Sequence, residues 1–190
     1  MIRAFIAVEI PSEVLDRIAA TIEILRARLR GIHWVTSDNV HLTLKFLGDI
    51  DQSQIEPIGA ALADALGPFP RCIISAKGLG VFPSLRQPRV LWVGLAGNSL
   101  NSLAATVQSA LTPFGFAPEV RPFRPHLTIG RVRPTKRIDR SLGLELERWT
   151  NHDFGASAVD KVILFRSELR PTGAIYTRLT AVALRPEPLF

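Results

Sequence analysis

The chain has 190 residues, 47% hydrophobic and 21% charged, enough apolar mass for one sizeable core or two small lobes and too much for a disordered polar chain. Its net charge of +6 favours anionic partners without identifying one. A lone cysteine, Cys72, excludes an internal disulfide, and no Cys/His cluster has zinc spacing.

Segment 2–10, IRAFIAVEI, reads as a buried strand, and the helical spacing of Val14, Leu15, Ile18, Ile22, Leu25 and Leu29 predicts a helix over 11–30 that stops at Gly31. Segment 33–48 reads as a short edge, a polar turn at 37–39, then a strand. A second helix is predicted over 51–68, with an acidic start and Gly67-Pro68 at its end. Segment 71–82 is a strand with a glycine-marked irregularity, and 82–90, FPSLRQPRV, is the expected loop and lobe boundary. The pattern then restarts. A strand over 89–95 precedes a helix over 98–115, a strand over 123–132, a weaker helix over 135–149, a strand over 157–169, and a turn and last strand over 170–184. Two approximate repeats, 1–84 and 89–184, thus make one domain over 1–190. The expected class is α+β, with mainly antiparallel sheets backed by helices.

No stretch approaches ~18 uninterrupted apolar residues, and the N-terminal apolar run is broken by Glu9. A soluble, cytoplasmic protein with no membrane partner is expected, and nothing demands more than a monomer.

The two halves share a motif. His41-Leu-Thr43-Leu recurs as His126-Leu-Thr128-Ile. Side chains alternate along a strand, so each His shares a face with its Thr while Leu42, Leu44, Leu127 and Ile129 turn to the core. Two of the four histidines carry this pattern at repeat-equivalent places. Imidazoles titrating near neutrality allow one ring to take a proton while the other gives one. Threonine hydroxyls donate to anionic oxygens. Two of each around one point suit a tetrahedral anion and in-line displacement at phosphorus. No nucleophilic Ser or Cys arrangement and no two-metal carboxylate cluster is visible, so catalysis without metal or cofactor is expected.

These features resemble the two-histidine phosphoesterase superfamily, marked by paired H-x-T-x motifs. Within it, RAFIAVEIP, HLTLKFLG, FPSLRQPRVLWVGL, RPHLTIGRV and SELRPTGAIYTRL resemble the RNA 2′,3′-cyclic phosphodiesterases, also called 2′-5′ RNA ligases. The resemblance implies a duplicated bilobed fold with the active site in a cleft between lobes. It also implies hydrolysis of an RNA terminal 2′,3′-cyclic phosphate to a 2′-phosphate. His41 is then the proton donor to the leaving oxygen, His126 the base that activates water, and Thr43 and Thr128 ligands of the phosphate oxygens. The near-symmetric motifs do not themselves assign donor and acceptor.

Arg131 and Phe46 each stand five places after a motif histidine. In family terms Arg131 is a further phosphate ligand and Phe46 a stacking surface for a base. In a regular strand the fifth position faces away from the histidine, so a bend is needed, and Gly48 and Gly130 are candidates to supply it. Lys45 shares the parity of His41 and is expected at the cleft border, as an alternative to a solvated lysine. The basic run 131–137, RVRPTKR, either guides RNA or is a solvated loop. His33 and His152 lack a Thr partner and are expected to be non-catalytic, and Tyr176 to pack first and line the cleft second. Two other functions stay open: reversible 2′-5′ RNA joining at the same site, and a non-catalytic module that binds RNA ends.

Overall fold

Nine strands form one continuous sheet in the computed structural model, which describes residues 1–133, 141–171 and 173–186. In chain order the elements are β1 (Ile2–Glu9), α1 (Ser12–Arg28), β2 (Ile32–Trp34), β3 (His41–Ile50), α2 (Ile55–Leu66), β4 (Cys72–Phe82) and β5 (Val90–Ala96). There follow α3 (Leu100–Leu111), β6 (His126–Val132), α4 (Ser141–Trp149), β7 (Asp153–Val159), β8 (Lys161–Arg170) and β9 (Gly173–Ala183).

The helices form where apolar residues recur every three or four positions. Val14, Ile18, Ile22 and Leu25 of α1 are buried, as are Ile58, Leu62 and Leu66 of α2 and Leu103, Val107 and Leu111 of α3. All three stripes enter one core with Ile2, Ala4, Ile6 and Val8 of β1. The alternate β1 residues Phe5 and Ala7 turn to the other face. There they join a smaller cluster with Ile163 and Phe165, flanked by Tyr176. Helices therefore cover one face of the sheet, and polar and aromatic side chains occupy the other.

The expected α+β class, with antiparallel strands backed by helices, holds, and the two sheets are joined edge to edge. The strand order is β7-β4-β5-β6-β3-β1-β8-β9, with β2 beside β6. The two half-sheets, β7-β4-β5-β6 and β3-β1-β8-β9, meet at one register pair, Leu42 opposite Leu127. Segment 82–90 is not a boundary between sheets, because β4 and β5 on either side of it pair antiparallel from Phe82–Val90 to Ser75–Ala96. Likewise β8 pairs with β1. Each half of the sequence thus gives its later strand to the half-sheet begun by the other.

Two further differences from the predicted elements have local causes. The predicted strand over 157–169 is two strands that turn at Asp160, and β7 begins at Asp153. Asp153 and Gly155 lie between the predicted helix and strand. In the fold Gly155 takes a positive φ of 104° while Asp153 Oδ1 accepts a hydrogen bond from its backbone N–H at 2.8 Å. Helix α4 starts at Ser141 in the described residues, and 135–140 of the predicted helix lie outside them. The irregularity expected in β4 is present, a register shift between Lys77 and Leu79 at Gly78, whose φ is +71°.

Gly80 stands opposite Trp92 in the β4–β5 register, and the indole lies across it. A Cβ at Gly80 would overlap the Trp92 ring. Gly80→Ala is therefore expected to destabilise the fold by about 1–3 kcal/mol, read as a lower urea midpoint in equilibrium unfolding. Pairing it with Trp92→Leu, which removes the ring, should recover much of the loss.

Candidate active site

Strands β3 and β6 open with the same burial sequence over six positions: half-buried, buried, half-buried, buried, buried, exposed. Leu42, Leu44, Leu127 and Ile129 fill the buried places and anchor both strands to the core. His41, Thr43, His126 and Thr128 fill the half-buried ones. The Leu42–Leu127 pair fixes how they meet. Antiparallel order about that pair sets His41 toward Thr128 and Thr43 toward His126. The two imidazoles then lie on the diagonal of that crossing, and the His126 charge acts on His41. Two imidazoles and two hydroxyls on one face are a donor set suited to a tetrahedral anion.

The bend needed to bring Phe46 and Arg131 to this face comes from matched bulges. In β3, Ala7 pairs with Thr43 and Ile6 with Lys45, leaving Leu44 as the extra residue. In β6, Trp92 pairs with Thr128 and Leu91 with Gly130, leaving Ile129 extra. Each bulge sits three places after its histidine and reverses the alternation beyond it. Phe46, 63% exposed, and Arg131, also exposed, so share the face of the histidines. The glycines have other uses. Gly130 admits β2, since a Cβ there would lie 2.7 Å from Ile32 Cγ2. Gly48 lies beyond Phe46 with a φ of +71°.

The same bulge overturns the expectation for Lys45. Its side chain points away from His41 and is buried, with Nζ donating to the Ala117 carbonyl at 2.6 Å and to Glu119 Oε1 at 2.9 Å. It pins the segment that leads into β6 and does not border the site.

Both motif rings are oriented alike. His41 Nδ1 lies 2.7 Å from the Asn39 carbonyl and His126 Nδ1 lies 2.6 Å from the Arg124 carbonyl, each two residues upstream. A carbonyl only accepts, so Nδ1 carries the proton and Nε2 is left for a ligand. Burial holds the His41 ring below the ordinary histidine range, with the Arg131 and His126 charges acting the same way, against the Asn39 carbonyl, which favours the protonated ring. These influences also place Arg131 and His126 within electrostatic reach of His41.

Aromatic rings bound the site on both sides. His41 packs on Phe5 at 4.9 Å between ring centres and meets Tyr176 edge-on at 5.2 Å. His126 meets Phe82 edge-on at 5.0 Å, and Phe82 in turn packs on Trp92 at 5.1 Å. Tyr176 thus lines the site as well as packing. Phe5, Phe82 and Trp92 escaped the sequence analysis because strand periodicity alone does not tell a second, aromatic face from the core.

His152 packs against Trp149 and Phe154, apart from these rings, whereas exposed His33 stands opposite Arg131 in the β2–β6 register. Of the basic run, 134–137 lie outside the described residues. Among the described residues no three of His, Cys, Asp and Glu cluster as metal ligands would, and no helix is long and apolar enough to cross a membrane.

The chain is similar to known proteins in sequence and in fold. A family model described as LigT like Phosphoesterase matches the chain twice, over residues 8–92 and 93–176. An RNA 2′,3′-cyclic phosphodiesterase of Methanothermobacter thermautotrophicus is 33% identical over 184 residues, 96% of this chain and 99% of the relative. The crystal structure of TT0787 of Thermus thermophilus superposes with a TM-score of 0.80 at 28% identity, covering 98% of this chain and 100% of that one. E. coli LigT complexed with 3′-AMP superposes with a TM-score of 0.74 at 25% identity, covering 96% of this chain and 98% of that one.

Proposed function

The chain belongs to the LigT-like phosphoesterase family, and from that membership and the diagonal pair of imidazoles we propose that it hydrolyses RNA terminal 2′,3′-cyclic phosphates to 2′-phosphates. His126 Nε2 takes a proton from water as the water oxygen bonds to phosphorus. The P–O3′ bond breaks in line, and His41 gives its Nε2 proton to the departing O3′. Solvent then returns the two rings to their starting protonation states. Thr43 and Thr128 donate to the non-bridging oxygens, and Arg131 adds a guanidinium charge as negative charge builds at phosphorus. Phe46 gives the terminal base a stacking surface. Every proton is moved by a side chain of the protein, so no metal or cofactor takes part.

The observation that carries this reading is the pair of equivalently oriented rings on adjoining strands, each with Nε2 left unbonded and each on the face of the threonine two residues on. The test is a short RNA ending in a 2′,3′-cyclic phosphate, incubated with and without EDTA. A 2′-phosphomonoester at equal rates in both arms is expected. A 3′-phosphate, or loss of activity with EDTA, would overturn the assignment. Adding an RNA with a 5′-hydroxyl separates hydrolysis from 2′-5′ joining, in which that hydroxyl replaces water. Tight binding of the cyclic end without turnover would instead mark a binding module.

A further inference from the structure

We propose that Arg3 and Tyr176 form a second phosphate subsite on the Phe5 side of the site, which takes the phosphodiester preceding the terminal nucleotide and so distinguishes an RNA end from a lone nucleoside cyclic phosphate. This rests on the function proposed above.

Arg3 lies on β1 two residues before Phe5, about 6.6 Å along the strand. Arg3 is exposed and Ala4 lies in the main core, so Arg3 shares the open face with Phe5. Phe5 is the hub of the His41 side, 4.9 Å from His41, 4.9 Å from Tyr176 and 6.2 Å from Phe46. Arg3 thus stands at the end of the site that holds the proposed base platform.

Its charge is uncommitted. Two other cations on this side, Arg178 and Lys161, are engaged by Glu9 at 2.6 Å and 3.6 Å. Arg3 has no ion pair or hydrogen bond among the described residues, nor has the Tyr176 hydroxyl. Asp49 faces Arg3 in the β1–β3 register without pairing with it. Burial pushes the Tyr176 hydroxyl above its ordinary range while the charges of Arg131 and Arg3 pull it back, so the hydroxyl lies in the field of both guanidinium groups.

Nucleoside stereochemistry supplies the direction. The base and the 5′ carbon leave one face of the ribose, and the 2′ and 3′ oxygens leave the other. With the cyclic phosphate between the histidines and the base at Phe46, the 5′ oxygen leaves the ribose on the face turned away from the cyclic phosphate, and Arg3 is the cation that β1 presents on this open side of the sheet. A guanidinium fork and a phenol O–H match the two non-bridging oxygens of a phosphodiester.

The test is binding, so it does not depend on turnover. Adenosine 2′-phosphate and adenosine 2′,5′-bisphosphate are titrated calorimetrically, the 5′-phosphate standing in for the phosphodiester. The wild-type protein is expected to bind the bisphosphate about 10-fold more tightly. Arg3→Gln removes most of that preference, Tyr176→Phe removes part of it, and Arg3→Lys retains part of it through charge without the fork. Equal affinity for the two ligands in the wild type, or an equal loss for both in Arg3→Gln, would overturn the subsite. RNA hydrolysis with either of those results refutes the subsite alone. A retained 5′ preference without hydrolysis refutes the function alone.

Discussion

Alanine at His126 is expected to lower kcat by about 10²–10⁴-fold, and alanine at His41 to do the same. Each ring is half-buried on a strand anchored by Leu42, Leu44, Leu127 and Ile129, so both variants keep the wild-type circular dichroism spectrum and a similar melting temperature. The losses should not add in the double variant, because one transition state uses both proton transfers. Normal turnover in either single variant would rule out the paired mechanism. The pH profile separates the two roles. In the ligand-free protein burial and the Arg131 and His126 charges hold His41 below the ordinary value of 6.5. A proton donor must be protonated, and the protonated fraction falls as pH rises through that lowered pKa. With His41 as donor, kcat/KM therefore declines above an apparent pKa below 6.5, and kcat declines at a higher pH because a bound anion favours the charged ring. If His41 were the base, activity would rise through that low pKa and persist at neutral pH.

Valine at Thr43 or Thr128 should lower kcat by about 10²-fold, the scale of removing one donor aimed at a developing oxyanion. The substitution keeps shape and β-branching and removes the hydroxyl. Both threonines are half-buried on the open face and neither hydroxyl has a partner among the described residues, so folding stability should change little. The hydrogen bonds tighten as charge builds on the phosphoryl oxygens, so kcat should fall more than KM rises. Serine at either site restores the hydroxyl and should restore most of the rate. If neither valine variant changed kcat, the hydroxyls would not be aimed at the reacting phosphate.

The helices and the His-x-Thr strands were legible because hydrophobic periodicity is local and each motif writes its own alternation. The matched bulges were half legible. Parity showed that Phe46 and Arg131 need a bend, but the glycines drew attention from Leu44 and Ile129, which carry it. A bulge is set by the register of the neighbouring strand, and register is non-local. For the same reason Lys45 read as a border of the site, although it reaches the Ala117 carbonyl on the opposite side. The aromatic surround was hidden more deeply. Phe5 and Ala7 alternate with Ile6 and Val8 in an unbroken apolar run, with no polar residue to show that two separate clusters are being filled.

The crossed pairing of β4 with β5 and of β8 with β1 bears on how such a chain arose. A single ancestral repeat, folded alone, would leave its first strand short of a neighbour and its last strand unpaired unless the two joined within one copy. Two identical copies trading last strands would cure both faults at once, as a domain-swapped homodimer with its symmetry axis passing between the histidine strands. Gene fusion would then make the trade permanent and free the copies to diverge, which is how one could come to hold arginine where its twin holds phenylalanine.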